Sequence, residues 1–235
     1  MANLSYATPE SAYISQLIGE PLHRIGDESA TRETVIAALQ QSCKIFHFTG
    51  HGNYNFQQPV KSALYLSQKD RLTIEDIVKI PLDGCELVCL SACETGITGK
   101  QAILDEYVGL VSAFLAQGVG CVVSTIWQVT SESSSIAMIE FYRRHYHPKN
   151  PQDKITALQT TIDWLRTVTV SDLIAWWADL KTELCQGSKI IDNLERIGIE
   201  EDIDELIENT LANQEPTFQP YSHPYYWATF TITGG

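Results

Sequence analysis

The chain has little positive charge: 16 Lys and Arg stand against 29 Asp and Glu, a formal net charge of −13. A phosphate backbone is held by a basic face, so non-specific nucleic-acid binding is excluded. No stretch reaches the ~18 consecutive apolar residues of a membrane span. The start, MANLSYATPE, has neither the basic residues nor the apolar run of a secretory signal. A membrane partner is therefore not expected, and the sequence predicts a cytoplasmic protein. There is no C-x-x-C pair, which disfavours a thiol redox enzyme. The six cysteines (Cys43, Cys85, Cys89, Cys93, Cys121, Cys185) fall mostly in apolar, strand-like runs, as reduced thiols do. Internal repeats and low-complexity tracts are also lacking.

Two absences bear on cofactors and metals. Gly96-Ile97-Thr98-Gly99-Lys100-Gln101 lacks both the glycine spacing of a phosphate loop and the hydroxyl residue after its lysine, so no cofactor is expected. A loop shaping a substrate cleft suits it better. His47 and His51, like Cys85 and Cys89, are four residues apart in strand-like runs. That spacing separates them by about 13 Å, too far for two ligands of one ion at ~2.0–2.3 Å each. No metal is expected either.

What is present is the composition of a globular protein: 235 residues, 44% hydrophobic and 19% charged. A chain this long hides roughly 70% of its unfolded surface, enough for a sizeable core. The acidic excess is local. Between Asp192 and Glu215 nine acidic residues face one basic residue, Arg196, the pattern of a solvated helix face or a docking surface for a basic partner. The first two-thirds alternates strand and helix signals. ATRETVIAALQQ (30–41) has helical period, and CKIFHFTG (43–50) and SALYLS (62–67) are β-rich. Thr73 opens a short helix, and CELVCLSAC (85–93) is the continuous apolar strand of a parallel sheet. A helix over 105–120, a strand over 121–129 and a helix over 133–147 follow. From Lys154 to about Asn213 the pattern is helical, and YYWATFTIT (225–233) is a late strand. The sequence thus predicts an α/β fold in one domain spanning 1–235, with a helical insertion over about 154–215 before the last strand.

Two short motifs each follow a predicted buried strand: Phe48-Thr49-Gly50-His51-Gly52 and Leu90-Ser91-Ala92-Cys93-Glu94-Thr95-Gly96. In open α/β sheets, sites gather outside the carboxyl ends of strands. A thiolate is a strong nucleophile once a base helps it form. An imidazole can take that proton and later return it to a leaving amine. Gly52 lets a substrate carbonyl approach the backbone, where its N–H and that of Cys93 could form an oxyanion hole.

At these residues the chain resembles the CHAT family (Caspase HetF Associated with TPRs), bacterial relatives of caspases and separases. HFTGHG (47–52), LSACETG (90–96), GLVSAFLAQGV (109–119), VVSTIWQV (122–129), IEFYRR (139–144) and HPYYWATFTITG (223–234) are similar to its successive blocks, in its order. The helical stretch around TIDWLRTVTVSDL suggests a cyanobacterial-type member. The resemblance implies a caspase-like three-layer sandwich with a mostly parallel central sheet, and peptide-bond hydrolysis by a dyad falling on His51 and Cys93. It also implies regulation by TPR-type or other sensor modules. None is found in this sequence, so the chain looks like a catalytic part acting in or beside a larger signalling or defence system.

One position departs from the pattern. Members often carry an acid in a stretch similar to W-x-V-x-D, where arginine-specific relatives bind the P1 side chain. Here Ser131 takes that place, with Glu132 one residue on, so the P1 residue stays open. Asp105, Trp127, Gln128 and Glu132 are candidate substrate contacts, although helix capping also suits Asp105 and its neighbour Glu106. The leading expectation is a cysteine endopeptidase acting on a protein substrate. The alternative is a catalytically silent caspase-like module that docks a partner through its acidic helical insert.

Overall fold

A computed structural model describes the chain apart from residues 1–5, 20–23, 42, 54, 56, 93–102 and 186–192. In chain order the elements are α1 (Ala7–Ile18), α2 (Arg32–Leu39), β1 (Ile45–Gly50), β2 (Gly52–Asn53), β3 (Ala63–Tyr65), β4 (Arg71–Thr73), α3 (Ile74–Ile77), β5 (Leu87–Ala92), α4 (Ile103–Ala116) and β6 (Cys121–Thr125). Then follow α5 (Ser131–His145), α6 (Lys154–Thr167), α7 (Val170–Cys185), α8 (Asn193–Leu206), a short π-helical turn (Ile207–Leu211), α9 (Pro224–Trp227) and β7 (Phe230–Gly234). They form two compact units. One takes in His23–Thr130 and Thr229–Gly235; the other takes in Asn3–Leu22 and Ser131–Ala228.

The first unit is built on a four-stranded sheet in the order β1-β5-β6-β7. β1, β5 and β6 run parallel, and β7 returns antiparallel to β6. This is the mostly parallel α/β sheet that the sequence predicts. Val88, Leu90 and Val122 join Val35 and Leu39 of α2, Ile77 of α3 and Phe114 of α4 in one apolar core. The alternate residues Leu87, Cys89 and Val123 are buried as well. A strand buried on both faces has no polar alternation, which is why CELVCLSAC reads as one apolar run. Gly118 ends the turn after α4 at φ 91°, and a Cβ there would lie 2.6 Å from the Asp83 carboxylate. Only glycine fits that turn.

β2, β3 and β4 form a small antiparallel sheet, and β4 leads directly into α3. Thr73 caps this helix with a full capping box: its hydroxyl accepts from the Asp76 N–H, while the Asp76 carboxylate accepts from the Thr73 N–H. Asp76 also accepts from the Arg32 Nε at 3.0 Å and from the Thr73 hydroxyl at 2.7 Å. The Arg32 hydrogen bond is the main reason its carboxyl falls from 3.8 to about 2. A depressed carboxylate stabilises the fold fully above its unfolded value, and that stability drains away as pH falls through the folded one. Asp76→Asn is therefore expected to cost about 1–3 kcal/mol at pH 7, with the gap to wild type closing between pH 4 and 2. Urea unfolding midpoints at pH 7, 3.5 and 2 measure this, and a gap unchanged at pH 2 would contradict it.

The second unit is helical. α5 is buried continuously from Ser133 to Tyr142, with small serines at its start and large side chains after them. Tyr13 of α1 donates to the Glu183 carboxylate, which also receives Arg143 at 2.8 Å. Burial first, and then that acceptor, push the Tyr13 phenol above its ordinary range. Trp164, Trp176 and Trp177 pack ring against ring between α6 and α7; Trp176 and Trp177 are buried in the core, and Trp164 is half-buried.

Two local expectations change. The run 225–233 is not one strand. His223 caps a helical turn by accepting from the Tyr225 N–H, Pro224 supplies its first residue, and the strand begins only at Phe230. β6 stops at Thr125 rather than 129. Past the end of α5, the His147 Nδ1 accepts from the N–H groups of Lys149 and Asn150.

Candidate active site

Parallel pairing of β1 with β5 fixes the geometry. Their register runs from Ile45 opposite Leu87 to Gly50 opposite Ala92. The residue before His51 thus lies beside the residue before Cys93, at the carboxyl ends of the adjacent strands β1 and β5. Cys93 itself falls outside the described residues. His51 is half-buried, and its carbonyl accepts from the Tyr65 N–H at 2.8 Å. That bond pins the backbone just after β1 to β3.

The same bond fixes how Gly52 sits in the β2–β3 ladder. Gly52 faces Leu64 across the β2–β3 ladder. With Tyr65 bonded to His51, this is a non-hydrogen-bonded pair, in which the strand's own N–H points away from its partner. The Gly52 N–H is left outside the ladder, as an oxyanion donor must be. Sequence alone suggests the glycine; only the register shows that the sheet does not consume its donor.

β6 lies beside β5, and two residues past its carboxyl end stands Trp127, half-buried, with Gln128 exposed. This turn is clamped by Thr229, fully buried and unremarked in the sequence. Its hydroxyl accepts from the Ile126 and Trp127 N–H groups at 3.1 Å each and donates to the Trp127 carbonyl at 2.9 Å. A threonine before a β-rich run carries no signal of such a role. Thr229→Val keeps the shape but removes the hydroxyl's three hydrogen bonds, while the Ile126 N–H keeps its bond to the Thr229 carbonyl at 2.9 Å. It is expected to cost about 2–4 kcal/mol and to lower the melting temperature by roughly 5–15 °C. Thermal unfolding followed by circular dichroism checks it.

Glu132 belongs to the helical unit, in the first turn of α5. It accepts from the Tyr221 hydroxyl at 2.6 Å, and burial pushes its carboxyl up. Asp105 lies in the first turn of α4, with its side chain outside the described residues. The described cysteines are accounted for by packing: Cys85, Cys89 and Cys121 are buried. A hydrogen bond with Cys85, then burial, push the Cys43 thiol up, away from nucleophilic use.

The model of the CHAT domain matches residues 1–235. This chain belongs to the CHAT family. A CHAT domain is a caspase-like, peptidase-related module, of the clan of caspase-like cysteine peptidases. The parallel β1-β5-β6 sheet with its helices has the caspase-like sandwich plan. No curated protein matches the sequence. Among the described residues of this CHAT domain, no helix is long and apolar enough to cross a membrane.

Proposed function

We propose that this CHAT domain is a cysteine endopeptidase that cleaves a protein substrate through a Cys93–His51 dyad. In this reading the Cys93 thiol gives its proton to His51 and its sulfur attacks the scissile carbonyl. The N–H groups of Gly52 and Cys93 hold the oxyanion. The tetrahedral species collapses to a thioester as His51 protonates the leaving amine. Water, deprotonated by His51, then hydrolyses the thioester and frees the thiol. The observation that supports this most is the pairing of Gly50 with Ala92, which sets the residues preceding the two dyad members side by side.

Residues 1–235 act here as one catalytic domain, the effector part of a bacterial cytoplasmic signalling or defence system governed by a TPR-type or other sensor module. Asp105, Trp127, Gln128 and Glu132 are the substrate contacts of this reading. The test is a peptide-library cleavage profile, run beside labelling by a cysteine-directed peptidyl inhibitor. A discrete P1 preference with the label on Cys93 is the expected result. A label on any other cysteine, with cleavage blocked, would overturn the assignment.

A further inference from the structure

The helical unit holds a cavity of about 280 Å³, lined by Glu140, Arg143, Arg144, His147, Asn150 and Gln152. It lies where the chain leaves α5 and folds back on it. The Gln152 N–H returns to the Arg144 carbonyl at 3.1 Å, and the His145 ring meets the Gln152 carbonyl at 2.8 Å.

The polar groups around this cavity are not balanced between donors and acceptors. Glu140 is the one carboxylate, and both its oxygens are taken. Oε1 receives Arg144 at 2.8 Å, while Oε2 receives the Trp176 indole N–H at 2.8 Å and lies 3.6 Å from Arg143. Gln152 accepts from the Thr160 hydroxyl through its side-chain oxygen at 2.8 Å, which leaves its amide NH₂ as the donor end. His147 Nδ1 accepts from two backbone N–H groups, so its proton sits on Nε2 and that nitrogen donates. The Arg144 Nε is buried and has no hydrogen-bond partner. A buried donor left unmade costs about 1–3 kcal/mol, and an acceptor from outside recovers it only where the groups that cover the Nε shift to let it in.

We propose that this cavity binds the oxyanion of a small molecule, a carboxylate or phosphate group held by Arg144, His147, Asn150 and Gln152. Recognition rests on hydrogen bonds more than on net charge, since Glu140 and Glu183 already face the two guanidiniums. The negative end of the α5 dipole opposes an anion here, and Arg143 and Arg144 in its last turn offset it.

The full chain, labelled with ¹⁵N, is titrated with sodium phosphate and separately with sodium acetate. Ionic strength is held constant with chloride, and the Arg144 Nε–H and His147 ring signals are followed. A saturable shift with either anion is expected. Saturation by phosphate alone assigns a tetrahedral ligand group, and by acetate alone a planar one. Gln152→Glu keeps the acceptor for Thr160 and replaces the donor by a negative oxygen, so binding is expected to weaken at least ~10-fold. Asn150→Asp, at an exposed position, gives the same readout should the first variant not fold. A response no different from chloride, or an affinity unchanged in both variants, overturns the proposal.

Discussion

Cys93→Ala is expected to abolish peptide cleavage, with a loss in kcat/KM of at least ~10³-fold and no labelling by cysteine-directed inhibitors. The size follows from the chemistry. Without sulfur no thioester forms, and what survives is the modest acceleration from binding and oxyanion donors, on the order of 10³–10⁴ over water. The other described cysteines cannot substitute, because Cys85, Cys89 and Cys121 are buried and the Cys43 thiol is pushed up. The comparison requires variant and wild type to share one unfolding midpoint, so that lost activity is lost chemistry. Undiminished cleavage by Cys93→Ala would falsify the endopeptidase reading. Partner binding that survives Cys93→Ala but is lost on charge reversal at Glu200, Glu201, Asp202 and Asp204 would point to a docking module instead.

His51→Ala should reduce kcat/KM by about 10²–10⁴-fold, the usual worth of a positioned proton carrier. Its signature differs from that of the cysteine variant. The Cys93 thiol remains, so a reactive alkylating agent still modifies it, but more slowly and with a rate that climbs steadily with pH as bulk hydroxide replaces the missing base. The His51 carbonyl that receives Tyr65 is backbone and survives the substitution, so the turn after β1 is kept. Equal cleavage by wild type and His51→Ala would remove the histidine from the mechanism and leave the thiol without a base.

Much of the sheet was legible because its two central strands, β5 and β6, are buried on both faces. Residues 45–50 and 87–92 read as apolar β-rich runs, and the structure pairs them in parallel. The two motifs were legible because each is local, a few residues after a strand. What was not legible depends on partners far away in sequence. Thr229 contacts Ile126 and Trp127, about a hundred residues earlier, and no local pattern announces such a clamp. The freedom of the Gly52 N–H depends on the register against β3, which a one-residue slip would reverse. The late helical turn at Pro224 was hidden because Tyr225, Tyr226 and Trp227 favour strands by type, while the His223 cap and the proline decide otherwise. Helix α1 has no clear periodic signal in the sequence. Its stripe of Ala12, Tyr13 and Ile14 is short, and its stability comes from packing rather than from pattern.

The Thr229 clamp also says something about how the chain is assembled. The sheet unit gives up the chain at Thr130 and takes it back at Thr229, and the Thr229 hydroxyl and carbonyl extend the β6–β7 ladder to tie the outgoing strand end to the returning one. Everything between hangs as an insert whose two stems are already stitched together at the base. For the sheet, residues 131–228 form a long loop closed at its base, and chain ends that lie close are where insertions are tolerated.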